Sequence, residues 1–220
     1  ILKLHQSEVL PNEKSFKDRL IFDEILSTFL INSKIRKSIK KIKKIKKKFN
    51  SSGYVEIVNK LNFSLTRDQI KSLSEINSDL KSSKKMFRLL QGDVGSGKTI
   101  VALIASLNVV KSNFQVAFMS PTEILAKQHF DLAKNLFDKK VNLALLTSKT
   151  EYKDRKKIIN DLINNKIDLI IGTHSLFQEK IKFFKLGLIV IDEQHKFGVR
   201  QRKMLSDKGG NNCDILVMSA

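Results

Sequence analysis

Two short stretches carry residue types and spacings suited to chemistry on a phosphate. The first is Gly92-Asp93-Val94-Gly95-Ser96-Gly97-Lys98-Thr99, set between two apolar runs. It fits G-x-x-x-x-G-K-[ST], in which glycines let successive backbone N–H groups converge on one anion. A helix starting near Lys98 would add its positive end. The Lys98 ammonium would neutralise β- and γ-phosphates, and the Thr99 hydroxyl would ligate Mg2+. The second stretch, Leu188-Ile189-Val190-Ile191-Asp192-Glu193, is four apolar residues followed by two carboxylates. At the carboxyl edge of a sheet, Asp192 would hold Mg2+ and Glu193 would orient and deprotonate an attacking water. Adjacent carboxylates repel unless a metal and a cation such as Lys98 offset them. Together the stretches imply a nucleoside triphosphate with Mg2+.

Elements able to position these groups are legible around them. Short apolar runs at 87–91, 116–120, 141–147, 167–172, 187–191 and 215–219 read as strands. Helical patterns near 67–79, 98–111, 123–137 and 153–164 lie between most of them, after a short helix at 54–60. Such alternation indicates an α/β domain whose mainly parallel sheet is covered on both faces. Asn50-Ser51-Ser52-Gly53 reads as a break before it.

Ahead of that break, residues 16–49 contain no Gly or Pro, and Ile35, Ile39, Ile42, Ile45 and Phe49 fall on one helical stripe. A helix from 16 to 48 would be roughly 50 Å long. Ten of the fifteen residues from Lys34 to Lys48 are Lys or Arg, so its basic flank would suit phosphates. The chain thus divides into a helical, strongly basic connector, 1–53, and an α/β domain, 54–220.

Composition narrows the function classes. The 220 residues carry a net charge of +19, which favours a polyanionic partner. Only seven of the 41 basic residues are Arg, and Asn and Ile abound, so part of the excess reflects an A+T-rich genome. No apolar run reaches the roughly 18–20 residues of a membrane span, and the N-terminus lacks a signal-peptide pattern. A lone cysteine, Cys213, excludes an internal disulfide framework and fits a cytoplasmic protein.

Further stretches carry a resemblance. Asp192-Glu193-Gln194-His195 resembles the DExH-type box of superfamily 2 helicases, Ser120-Pro121-Thr122-Glu123-Ile124-Leu125-Ala126 their motif Ia, and Gly172-Thr173-His174 their motif Ib. Ser219-Ala220 resembles the start of the Ser-Ala-Thr motif, and Leu61 to Gln69 the element whose glutamine reads adenine. The combination of GDVGSGKT, PTEILAKQH, IIGTHSLFQ and IDEQHKFGVRQR is similar over residues 61–220 to the bacterial RecG family of ATP-dependent DNA branch-migration helicases. The stretch from Leu4 through Leu26 resembles that family's passage from its DNA-binding wedge domain into the motor. Asn62 stands where the family usually has proline, and Lys196 where it has arginine.

The resemblance implies a RecA-like P-loop NTPase fold preceded by a helical connector. The complete chain is expected to add the wedge domain and a second RecA-like domain with its arginine fingers. ATP would be held by Gln69 and Gly92 through Thr99, and Mg2+ by Thr99 and Asp192. Lys98, Asp192, Glu193 and His195 would be catalytic, with His195 linking the ATP site to the DNA-facing segment. Pro121, Thr122, Glu123, Gly172, Thr173 and His174 would meet nucleic acid, and Phe197, Arg200, Gln201 and Arg202 would relay its binding. His129 would help only in positioning. The implied partner is branched or duplex DNA, handled by a cytoplasmic monomer, and the 220 residues alone are expected to turn over poorly. A duplex translocase of the transcription-repair coupling type, an RNA helicase, and a non-catalytic nucleic-acid-binding module are the other classes that share these features.

Overall fold

Six runs of mostly aliphatic residues form strands, and every pairing between them is parallel: β1 (Phe87–Gln91), β2 (Gln115–Met119), β3 (Leu143–Leu146), β4 (Leu169–Gly172), β5 (Leu186–Ile191) and β6 (Asp214–Ser219). In the computed structural model the sheet order is β1-β6-β5-β2-β4-β3. The structure describes residues 18–23, 26, 30, 42–50, 52–137, 140–193 and 208–219. The helices are α1 (Ser52–Val58), α2 (Arg67–Lys81), α3 (Lys98–Val110), α4 (Glu123–Phe137) and α5 (Tyr152–Ile163). Most bounds fall within two residues of those read from the sequence.

Alternation along the strands fills both faces of the sheet. Val116, Phe118, Leu188, Val190, Leu216 and Met218 pack with α2, α3 and α4 through Leu73, Ile76, Leu103, Ile104 and Ala133. Ala117, Met119, Ile189, Ile191, Ile215 and Val217 pack on the other side with Leu162 of α5, Leu176 and Cys213. Asn113 and Asn165 follow α3 and α5 with φ of 59° and 55°, the left-handed turn that asparagine tolerates at a helix end.

The chain divides into the units Ile1–Lys41 and Ile42–Ala220. In the first, the described residues are helical, and Arg19 Nε lies 3.2 Å from Asp23 Oδ2. The helix expected to run to residue 48 does not continue over 42–50, which form an irregular strap with one antiparallel bridge, Lys43 to Lys84. Its backbone is held by Lys85 N–H on Ile42 O at 3.0 Å, Lys44 N–H on Ser83 O at 2.8 Å and Lys47 N–H on Leu80 O at 3.2 Å. Ile45, assigned to the apolar stripe, is 54% exposed. In its place two lysines are buried: Lys44 Nζ and Lys47 Nζ lie 2.5 and 2.6 Å from Asp214 Oδ2, with all three side chains fully covered. Burial lowers the Lys44 pKa from its usual value, against the opposing pull of Asp214. A run of like charges gains little from helical i,i+4 neighbours, whereas a buried carboxylate at the start of β6 holds two of them. Ile35 and Ile39 lie outside the described residues.

Candidate nucleotide site and nucleic-acid face

Strand register brings the motif residues to one edge. Gln91 pairs with Ser219, Val217 with Ile191, Ile191 with Met119, and Met119 with Gly172, so β1, β6, β5, β2 and β4 all end together at their carboxyl ends. Bonds across the strand ends continue the ladder. Gly92 N–H donates to Ser219 O at 3.3 Å, Asp192 N–H to Met119 O at 2.9 Å, and Ser120 N–H to Gly172 O at 2.9 Å. The glycine loop, the acidic pair and the segments after β2 and β4 therefore share one face of the domain.

The loop from Gly92 to Gly97 has the conformation of a phosphate cradle. Gly95 and Gly97 have φ of 81° and 80°, and Gly97 opens α3 without a side-chain cap. The first turn of α3 carries no acidic residue, which leaves its positive end to an anion. Lys98 folds back over the loop, its ammonium donating to Gly92 O at 2.5 Å and Asp93 O at 2.8 Å. Thr99 follows, half-buried, and Val94 stands 89% exposed at the tip.

Gln69 braces this loop from α2. Its Oε1 accepts the Thr66 N–H at 2.9 Å, the Thr66 hydroxyl accepts the Gln69 N–H at 3.3 Å, and its amide Nε2 donates to Ser96 O at 2.8 Å. The first two bonds are a capping box, which fixes the start of α2 and so the position of the amide. One N–H and one lone pair of the amide remain for the edge of a base.

Asp192 is buried at the end of β5, 7% exposed. Its Oδ2 lies 2.9 Å from His129 Nε2, and among the described residues its Oδ1 has no protein partner. An open phosphate loop and a carboxylate with one oxygen held and one spare fit a nucleotide with Mg2+. Glu193 turns out of the strand with φ of 52°, a left-handed backbone rare for glutamate and frequent at functional sites. His195, Lys196, Phe197, Arg200, Gln201, Arg202 and Ala220 lie outside the described residues, as does His5.

The segments assigned to nucleic acid are arranged unequally. Thr122 is exposed and caps α4, its hydroxyl accepting the Leu125 N–H at 3.3 Å. Pro121 is half-buried beside it. The Glu123 carboxylate is engaged by the Ser148 hydroxyl and N–H and by Lys149 Nζ at 3.5 Å, which holds its pKa below the usual range. Glu123 thus fixes the loop after β3. Gly172 is needed for packing, since a Cβ there would sit 2.2 Å from Leu146 O. Thr173 is buried, and His174 is exposed at the start of a 3-10 turn, His174–Phe177.

The feature given too little weight in the sequence is His129. On α4 the buried residues are Ala126, His129, Ala133, Leu136 and Phe137, so the histidine sits on an apolar stripe. A polar residue on such a stripe requires a partner, and that was the available signal. Lys44 and Lys47 gave no comparable sign within a run of surface-type lysines.

A parallel sheet with a glycine phosphate loop after one strand and an acidic pair after another defines a P-loop nucleotide-binding domain. The chain belongs to the DEAD/DEAH box helicase family, whose model matches residues 66–220. It is similar to the ATP-dependent DNA helicase RecG of Thermotoga maritima, 44% identical over 218 residues, 99% of this chain and 28% of the relative. RecG of Streptococcus pneumoniae is 51% identical over 160 residues, 73% of this chain and 24% of the relative. The chain therefore spans about a quarter to a third of the curated relatives it matches. A structure of RecG bound to a three-way DNA junction superposes with TM-score 0.79 at 43% identity, covering 92% of this chain and 27% of that one. The DEAD-box helicase Mss116 bound to ssRNA superposes with TM-score 0.63 at 20% identity, covering 78% and 38%, a likeness of fold alone. The fold is RecA-like. Among the described residues, no helix is long and apolar enough to cross a membrane.

Proposed function

We propose that the complete protein carrying this chain hydrolyses ATP and uses the energy to remodel branched DNA. The observation that supports this most is the single edge holding the phosphate loop, Asp192, Glu193, Thr122 and His174, in a chain similar over nearly its whole length to a junction-bound RecG.

Each residue then has a task. The main-chain N–H groups of Gly95 and of Gly97 through Thr99, where α3 starts, hold the β- and γ-phosphates. The Lys98 ammonium exchanges the Gly92 and Asp93 carbonyls for phosphate oxygens. Thr99 and Asp192 would hold Mg2+, which when bound neutralises charge on the transferring phosphoryl group. Glu193 orients a water and takes its proton. Gln69 keeps the loop in shape and offers its spare donor and acceptor to adenine. The Thr122 N-cap and His174 meet DNA phosphates, which carry no sequence information, as a motor that travels over any sequence requires. A second RecA-like lobe would supply the arginine that completes hydrolysis, worth 10³ or more in rate. The protein is assigned to the bacterial cytoplasm, at the nucleoid, as a monomer.

The test is the ATPase rate of the complete gene product without nucleic acid and with linear duplex, three- and four-way DNA junctions, and structured RNA, at two salt concentrations. Stimulation by junctions that is lost in Lys98→Ala and weakened by salt is expected. Equal stimulation by linear duplex would instead favour a translocase of the coupling type, and preference for RNA an RNA helicase.

A further inference from the structure

We infer that His129 is a positioning residue that aims the Asp192 carboxylate at Mg2+ and ties that aim to the helix carrying the DNA-facing Thr122. The inference rests on the reading of Asp192 as a metal ligand. His129 Nε2 and Asp192 Oδ2 are 2.9 Å apart, with both side chains only 10% exposed. Phe118 of β2 backs the imidazole, ring centroids 5.0 Å apart and planes at 53°, which restricts its rotation. Asp192 is held from the same strand by its N–H on Met119 O, so backbone and side chain are both tied to the β2–α4 unit.

The chemistry favours one division of labour. A carboxylate that gives one oxygen to a ring N–H presents the other in a fixed direction, and such outer partners set the affinity of a metal site. Among the described residues no other side chain is bonded to Asp192, so the imidazole is the group there that fixes its χ angles. His129 lies two turns beyond Thr122, about 10 Å along one helix at 1.5 Å per residue. A rigid helix spans that distance without intermediates. A shift of α4 as Thr122 engages a phosphate therefore moves the group that orients Asp192, and metal binding moves α4 in return.

The experiment uses the complete protein as wild type, His129→Leu, His129→Gln, Asp192→Asn and Lys98→Ala. Two quantities are titrated against Mg2+: junction-stimulated ATPase, and affinity for a fluorescent ADP analogue without turnover. His129→Leu is expected to raise the Mg2+ needed for half-effect about tenfold or more in both titrations. Its ADP affinity in EDTA should stay at the wild-type value. His129→Gln, whose amide places an N–H near the Nε2 position, should restore the Mg2+ requirement. Should leucine unfold the domain, His129→Asn, too short to reach Asp192, reads the same shift. Wild-type Mg2+ titrations in a folded His129→Leu or His129→Asn, or a folded His129→Gln that restores nothing, overturn the positioning role. Activity surviving in Lys98→Ala and Asp192→Asn would overturn the ATP-site reading, and this inference with it.

Discussion

The Gln69 amide donates to the Ser96 carbonyl at 2.8 Å, and so the residue that closes the capping box of α2 with Thr66 also holds the phosphate loop. Loop shape and helix start are one structural unit, although 27 residues separate them in sequence. Gln69→Ala should therefore lose on two counts. Removing the capping interaction costs about 1 kcal/mol of stability, measurable by urea unfolding without nucleotide. Preference for ATP over GTP should fall in competition binding, because the spare donor and acceptor for the base are gone as well.

Gly95 and Gly97 separate backbone strain from steric clash. Both have left-handed φ, but a Cβ at Gly95 meets nothing within 4 Å, whereas one at Gly97 would sit 2.3 Å from Gln69 Nε2. Gly95→Ala should cost about 1–2 kcal/mol of backbone strain. Gly97→Ala should cost more and should also displace Gln69. Calorimetric ADP affinity should fall in the order wild type, Gly95→Ala, Gly97→Ala.

Asp214 makes a prediction about the strap. Its Oδ2 serves two buried lysines and its Oδ1 accepts the Met86 N–H at 2.7 Å. Asp214→Asn leaves both ammonium groups buried without a counter-charge and should cost about 3–5 kcal/mol. The triple variant Lys44→Met, Lys47→Met, Asp214→Asn should recover much of that loss in urea unfolding, since apolar replacements of a buried ion cluster are often tolerated.

Cys213 is fully buried, and burial pushes its thiol pKa up to about 12. A raised pKa keeps the thiol protonated as pH rises through the range where an exposed cysteine ionises. Alkylation by iodoacetamide between pH 7 and 9 should therefore be slow in the native protein, with a rate still climbing at pH 9. In urea the reaction should be much faster, and its rate should level off above the ordinary thiol pKa near 8.5.

What the sequence disclosed and what it concealed follow from the range of the interactions. The phosphate loop and Leu188–Glu193 are local patterns, in which chemistry and conformation are set within eight residues. Strand and helix periods around them are local too, so the α/β alternation was legible. The strap was not, because its conformation is decided by Asp214, 170 residues from Lys44. A helical stripe and a buried two-lysine clamp use the same letters. His129 lies between these cases: its place on the buried face of α4 was readable, but its partner, 63 residues on, is fixed only by strand order.

The sheet order has a consequence for how the domain comes into being. Among the described residues β1, the strand that launches the phosphate loop, has one neighbour in the sheet, and that neighbour is β6. Met86 and Asp214, which join at their amino ends, are 128 residues apart. A nascent chain that has emerged from the ribosome through β5 already contains the lysine and both carboxylates, yet still lacks the strand with which β1 pairs among the described residues. The loop must wait for the Ser219 carbonyl to meet Gly92. Closing so distant a pair is a slow step in folding, and nucleotide can stabilise the domain only after it is complete.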